Sequence, residues 1–311
     1  MLFEGTGNSE IIGRSDFLPG VSEMTDRNAN GSQFTLPKPK EHGAWGMLYV
    51  PFVIGVGIAG SFNFETLCLL IAITLAFLSQ KPYGQLLAPK DSTSSPDPRK
   101  LRLQISWLVL YAGSSAGLFA WLYLHYQLKA LIVFGLLMVP IVLSFSYFIR
   151  CRQVRTVWGE LAGIVGLTMA GPMAHYVATG KMRAVGFALW WLCILYFAGS
   201  IFYVKAVVQN YLRSRSKLAG GSAGMEKACR IYHMGVLAVL LCLVILGQLP
   251  AIISLGFIPV IIRGLWVSSR PRPRLNFAII GWTEVGYSIF FALILIAGLR
   301  EGVAFSGFLL P

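Results

Sequence analysis

Two lysine–glutamine pairs with identical spacing are the residues best suited to hold an anion. Lys81 and Gln85 follow one apolar stretch, and Lys205 and Gln209 follow another. Residues four positions apart lie on one face of a helix, so each ammonium group would stand beside an amide. If the two pairs face one another, they form a site for a carboxylate, a phosphate or an anionic lipid head group, without a bridging metal.

Glu284 is the most anomalous acid in the chain, because it lies well inside an apolar stretch. An ionisable residue at such a position is a candidate for function by default, since burying it is costly. One interpretation makes it a substrate or proton site. The other makes it a structural carboxylate that pairs with Lys81, Lys205 or Arg263.

The remaining candidates lie near the beginnings of apolar stretches. For Glu160 we favour a structural role, either paired with Arg155 or reaching water. Glu41 and His42 precede the first stretch, where a carboxylate stabilises a helix N-terminus and a histidine can shuttle protons or donate to a head group. His233 begins a later stretch and is interpreted in the same way.

The cysteines indicate neither a metal site nor a disulfide framework. None forms a C-x-x-C pair or lies in a histidine-rich neighbourhood. We therefore predict no metal and no cofactor. The five are Cys68, Cys151, Cys193, Cys229 and Cys242.

These residues are carried by a chain that is too apolar for an ordinary soluble protein. Of its 311 residues, 56% are hydrophobic and 13% charged, and the mean hydropathy is +0.66. This composition is typical of a membrane protein. Residues 1–36 are more polar and are predicted to be a disordered cytosolic tail without a cleaved signal peptide. Residues 37–311 are predicted to form a single transmembrane domain.

Apolar stretches of membrane-spanning length predict an all-α polytopic protein with about nine transmembrane helices. Among the 26 cations of the chain, only Lys129, Lys181, Arg183 and Arg300 would lie outside if the N-terminus is cytoplasmic. The positive-inside rule then places the C-terminus outside. Because the net charge of +13 is spread over loops that flank the membrane, no nucleic-acid partner is expected. The predicted spans are 44–61, 64–79, 103–124, 130–149, 157–178, 183–204, 229–248, 250–267 and 276–298.

Matching details predict a repeat of four spans, residues 44–149 and 157–267, followed by the ninth span, 276–298. The two K-x-x-x-Q pairs leave the second and sixth spans, which are four spans apart. Trp-Gly pairs also begin the first and fifth spans, as Trp45-Gly46 and Trp158-Gly159. Corresponding features at corresponding ends are what an internal duplication produces.

The segment PKPKEHGAWGMLYVPFVIG, residues 37–55, resembles the opening of the YwiC-like family of bacterial integral membrane proteins. The Lys81-Pro82 and Tyr203-Val-Lys205 segments are similar to that family too. The resemblance implies a multi-pass protein of the bacterial plasma, or inner, membrane. Nine spans with long inner loops after the second and sixth are also similar to the UbiA-type prenyltransferases, which hold magnesium and a prenyl diphosphate on Asp-rich motifs.

The sequence departs from the UbiA-type pattern at both motif positions. Residues 78–90 and 202–217 contain no Asp or Glu, although magnesium requires oxygen ligands to bridge a diphosphate. The resemblance therefore implies the scaffold, with at most a related activity that lacks the Asp-rich motifs. Whether any reaction is catalysed stays open.

Three functions remain after these exclusions. The first is a UbiA-like bundle that binds an anionic amphiphile or isoprenoid-type ligand from the bilayer in a basic cavity facing the cytoplasm. The second is a proton-coupled transporter or permease for a small anion, with Glu284 or His42 coupling protons. The third is a purely structural membrane partner. Transporters commonly have interrupted helices at symmetry-related positions. Pro51 and Pro140 do not match each other, which favours the first hypothesis.

Overall fold

The structure is a computed structural model that describes residues 42–89, 97–215, 224–266 and 277–300. The predicted tail, residues 1–36, Glu41 and the His42 side chain lie outside the described residues. Every regular element in the described ranges is helical. The helices are α1 (His42–Ala59), α2 (Phe64–Leu87), α3 (Pro98–His125), α4 (Leu131–Arg150), α5 (Val157–Thr168), α6 (Ala170–Thr179), α7 (Ala184–Arg215), α8 (Gly224–Ile245), α9 (Ala251–Trp266) and α10 (Phe277–Arg300).

The helices confirm the prediction of an all-α polytopic membrane protein. In the described part of the chain, seven helical segments are long and apolar enough to cross a bilayer. One of them, Val157–Thr179, consists of α5 and α6 together. The two shorter apolar helices are α1 and α9. The count of nine spans, the orientation of the termini, the domain boundaries and the four-span repeat stay predictions.

The fifth predicted span breaks between α5 and α6, and proline supplies the reason. Pro172 lies in the first turn of α6 and has no N–H to donate to the carbonyl of Thr168, four residues earlier. The Thr168 hydroxyl in turn donates to the carbonyl of Ile164 at 2.8 Å. The helical ladder is therefore interrupted at Met169, which separates the two helices.

Helix α1 packs on α6 and α10, and over shorter lengths on α5 and α7. Glycines allow its closest approach, because a Cβ at Gly55 would overlap the carbonyl oxygen of Gly171 on α6. Small residues at a helix crossing let backbones meet and gain van der Waals contact, which is the main attraction between helices in lipid. Helix α1 thus joins the two hydrophobic cores described next.

Two hydrophobic cores divide the described helices. The first core lies mainly among α7, α8, α9 and α10, where α8 packs on both α7 and α9, and α9 packs on α10. The second core lies among α1, α2, α3, α4 and α6. There α3 packs principally on α2, whereas α4 packs on α5 and more briefly on α2. Among these described helices, α3 and α4 do not pack extensively against each other.

Candidate functional site

A cavity of about 730 Å³ lies between α2, α3, α4, α5 and α6. We call it the α2–α6 cavity. Its wall is almost entirely apolar, with aromatic and aliphatic side chains such as Phe77, Phe119 and Met138. Its hydroxyl and amide groups come from Ser79, Gln80, Tyr83 and Tyr123, and none of the described residues that line it is charged. The cavity is therefore suited to hydrocarbon rather than to an ion.

Small residues on three helices create this space. Alanines recur every four residues on α3 and therefore lie on one face of the helix. Their short side chains leave space in the cavity, which they line as Ala112, Ala116 and Ala120. Gly163 on α5 and Gly135 on α4 also line it, and a Cβ built at either would meet nothing within 4 Å. The cavity is thus wide where these helices carry no bulky side chain.

The polar groups of the cavity concentrate near the C-terminal part of α2. The Tyr83 hydroxyl lies 2.6 Å from the Ser146 hydroxyl of α4. Because Ser146 donates to the carbonyl of Val142 at 2.6 Å, Tyr83 is the donor in the bond between the two hydroxyls. Ser79 donates to the carbonyl of Ala76. Gln80 also lines the cavity at this end, and the predicted orientation places this end toward the cytoplasm.

A buried ion pair occupies the other half of the bundle. Arg263 on α9 contacts Glu284 on α10 through Nη1 and Oε1, and the second oxygen of Glu284 accepts a hydrogen bond of 2.8 Å from Ser200 on α7. The Arg263 side chain is only 9% exposed and that of Glu284 21%. We call these three residues the Arg263–Glu284 centre. It connects α7, α9 and α10 through one carboxylate.

Aromatic rings and a histidine surround this centre. The Arg263 guanidinium carbon lies 3.9 Å from the centroid of the Tyr203 ring and 5.1 Å from that of Tyr287. His233 on α8 is 1% exposed, and its Nδ1 donates to the carbonyl of Cys229 at 2.7 Å. A Cβ at Gly264 would overlap the His233 ring. The histidine therefore lies packed at the α8–α9 contact rather than at a water-filled mouth.

Comparison with known proteins finds a family similarity in the first part of the chain. Residues 39–175 match the model of the YwiC-like protein family. Over this range the chain is similar to YwiC-like proteins. All the residues that line the α2–α6 cavity, from Leu48 to Met173, fall within the matched residues. The Arg263–Glu284 centre falls outside them.

Two similar proteins extend this finding. An uncharacterized protein of Haemophilus influenzae is 27% identical over 264 residues, which cover 83% of this chain and 97% of the relative. The uncharacterized protein YwiC of Bacillus subtilis is 27% identical over 172 residues, which cover 55% of this chain and 67% of the relative. No solved structure matches significantly. The similarity to UbiA-type enzymes stays an expectation.

Lys205, predicted from the sequence to face Lys81, has partners on the loop before α5 and on α5 itself. Its Nζ donates to the carbonyl of Arg155 at 2.6 Å and forms an ion pair of 3.0 Å with Glu160. Glu160 thus pairs with Lys205 rather than with the Arg155 side chain considered before. The side chains of Lys205 and Glu160 are 22% and 36% exposed. This contact joins α7 to the start of α5.

The other half of the predicted anion site lies on α2. Lys81 is half-buried and Gln85 is exposed, whereas Gln209 is half-buried on α7. Helices α2 and α7 do not pack extensively against each other in the described part of the chain. The joint site of the two lysines stays a prediction. For Glu284, the structure selects Arg263 among the three partners that the sequence allowed.

The sequence did not indicate the α2–α6 cavity, and it left Arg263 as one of three possible partners of Glu284. Arg263 lies inside the predicted eighth span, 250–267. An arginine inside a predicted span was the signal that pointed to a buried partner. For the cavity, the signal was the recurrence of Ala112, Ala116 and Ala120 on one face of α3.

Proposed function

We propose that this multi-pass YwiC-like protein binds an amphiphile whose hydrocarbon chain occupies the α2–α6 cavity. The observation that carries the proposal is the volume of about 730 Å³ together with a lining that holds no charged residue among those described. Pockets of this size accommodate drug-sized molecules, and burial of apolar surface drives their occupation. An isoprenoid or acyl chain has the matching chemistry.

The polar end of the cavity supports a defined direction for this ligand. Tyr83, Gln80 and Ser79 supply the polar groups there, and Lys81 lies between Gln80 and Tyr83 on the same helix. A head group would bind at this end, with its chain extending toward Tyr123 and Phe134. Because the described lining of the cavity is uncharged, Lys81 would contribute its charge from outside the wall, next to this polar end. An anionic head group is favoured by Lys81.

A lateral route from the bilayer supports an amphiphile rather than a water-soluble ligand. Helices α3 and α4 both line the cavity, but α3 packs mainly on α2 and α4 mainly on α5, and these two described helices do not pack extensively on each other. Large apolar side chains such as Leu110 and Leu136 are exposed on these two helices, as expected of surfaces in contact with lipid. The ligand would pass between them. We place this activity in the bacterial cell membrane, and we assign no reaction to the site.

The decisive experiment is mass spectrometry of lipids and metabolites that co-purify with the protein. We expect a distinct amphiphile, such as an isoprenoid, at a stoichiometric amount, and its loss from the variants Gly163→Phe and Gly135→Phe. Both substitutions place a ring in the cavity at positions where a Cβ meets nothing within 4 Å. The matched control is Gly113→Phe on α3, an exposed position outside the lining. Recovery of bulk phospholipid alone, unchanged by cavity filling, would contradict the proposal.

A proton-coupled permease for a small anion is the second candidate, and the buried Arg263–Glu284 centre is the observation in its favour. Against it, the described helices show no matched pair of breaks. Pro140 and Pro259, which the predicted repeat would make equivalent, both lie inside continuous helices. The break between α5 and α6 has no counterpart in α1. Proton-driven anion uptake by proteoliposomes, abolished in Glu284→Gln, would establish the permease instead.

A further inference from the structure

Arg263 presents more hydrogen-bond donors than its ion pair uses. The contact with Glu284 involves Nη1, whereas Nε and Nη2 are buried and have no hydrogen-bond partner among the described residues. The side chain is nine-tenths buried. Unsatisfied N–H groups of a buried cation are costly, because they lose water and gain nothing in return. One edge of the guanidinium is therefore available for an acceptor.

Ser200 explains why Glu284 does not accept hydrogen bonds from Nε and Nη2 of Arg263. Arginine and carboxylate commonly meet through two parallel hydrogen bonds, which would use both carboxylate oxygens. Here the Ser200 hydroxyl donates to Oε2 of Glu284 at 2.8 Å, so that only Oε1 faces Arg263. The serine thereby restricts the pair to a single contact. The free edge of the arginine is a consequence of this arrangement.

The surroundings hold the guanidinium in place. The Tyr203 ring lies 3.9 Å below its central carbon, a distance at which the ring face attracts the cation. Arg263 is three residues from Trp266, the last residue of α9, which places it within about one turn of the helix end. Lys227 and Arg230 on α8 are exposed at the predicted cytoplasmic side and add positive charge there. An anion that approaches from this side meets an attractive field.

We propose that the Nε and Nη2 edge of Arg263 binds an oxygen anion, a phosphate or a carboxylate, where α7, α9 and α10 meet on the predicted cytoplasmic side. Two N–H groups on one edge of a guanidinium match two oxygens of such a group. The anion comes either from solution or from a lipid head group, since both present the same oxygens. This site is separate from the α2–α6 cavity, and it does not depend on the amphiphile proposed there.

Thermal unfolding of the purified protein tests the proposal in two arms. The first arm uses uncharged detergent and compares potassium phosphate with potassium chloride at equal ionic strength. The second uses nanodiscs of phosphatidylcholine with and without phosphatidic acid. We expect stabilisation in at least one arm, and the arm that responds identifies the source of the anion. Absence of a specific shift in both arms would overturn the proposal and leave water as the partner of Arg263.

Two variants connect any stabilisation to Arg263 itself. Arg263→Lys keeps the charge but loses the planar edge, and we expect its response to the anion to disappear. Ser200→Ala releases Oε2 of Glu284, which can then pair with the free edge, so about tenfold more phosphate should be needed while the fold is retained. The control is Ser115→Ala, a buried serine that donates to the carbonyl of Ala72 in the other half. Equal responses of wild type and Ser200→Ala would overturn the proposal.

Discussion

Helices α3 and α4 enclose a cavity, whereas α8 and α9, their equivalents under the predicted repeat, pack against each other. Small residues are present in both places. Gly264 on α9 admits the ring of His233, so α8 and α9 approach closely. The alanines of α3 and Gly135 of α4 face empty space instead. A small residue thus permits either close approach or a cavity, and the position of the neighbouring helix decides which.

The same two regions differ in whether they contain charged side chains. The described lining of the α2–α6 cavity is uncharged, whereas the packed half contains the ion pair of Arg263 and Glu284. A charge in a membrane protein is tolerated where other protein groups enclose and pair it. The described lining of the α2–α6 cavity offers no such partners. The comparison therefore separates a region suited to a hydrocarbon chain from one suited to an anion.

The largest expected loss of stability comes from removing the cation that pairs with Glu284. Arg263→Met should lower the free energy of unfolding by about 3–5 kcal/mol, because Glu284 would stay buried without its cation. The double variant Arg263→Met/Glu284→Met should recover most of this loss. Denaturation in mixed micelles measures both. If Arg263→Met is as stable as the wild type, the Arg263–Glu284 centre is open to water. The two regions would then not differ in how they enclose charge.

A smaller loss is expected from separating α8 and α9. Gly264→Leu places a side chain where the His233 ring lies, and such overpacking costs about 1–3 kcal/mol. The control Gly286→Leu on α10 should be nearly neutral, since a Cβ there meets nothing within 4 Å. The same denaturation measurement compares them. If Gly264→Leu and Gly286→Leu have the same free energy of unfolding, the contact between α8 and α9 is not closely packed.

Filling the cavity should have the opposite sign. Gly163→Phe adds apolar contact inside the α2–α6 cavity and should raise the free energy of unfolding of the ligand-free protein by about 0.5–2 kcal/mol. Gly113→Phe, outside the lining, should leave it unchanged. Thermal unfolding after removal of lipid by detergent exchange provides the measurement. A loss of stability in Gly163→Phe would mean that the α2–α6 cavity is closed in the purified protein. The helices around it would then be as closely packed as α8 and α9.

The smallest effect concerns the surface ion pair of Lys205. Lys205→Gln should cost at most about 1 kcal/mol, because both partners are partly exposed and Glu160 can turn to water. The double variant Lys81→Gln/Lys205→Gln tests the anion site predicted from the sequence, through thermal stabilisation by phosphate and prenyl diphosphate. Loss of that response would support a joint lysine site. A response equal to that of the wild type would remove it.

Some features of the fold and of the candidate site could be predicted from the sequence, and others could not. The apolar stretches predicted all-helical membrane structure correctly, since stretch length and hydropathy are local properties. Glu284 was recognised as anomalous, and Arg263 was one of three partners proposed for it. Its pairing also depends on Ser200, which lies 84 positions from Glu284 in the chain. No local pattern marks that contact.

The sequence by itself determined that this chain is a multi-pass helical membrane protein, because the bilayer demands apolar helices of fixed length. It also determined where charge is costly and hence where Glu284 needs a partner. Only the tertiary structure decided that α3 and α4 stand apart around a cavity while α8 and α9 meet at Gly264. It also decided that Lys205 pairs with Glu160. These outcomes depend on distances between helices that are remote in sequence, which no pattern within one helix specifies.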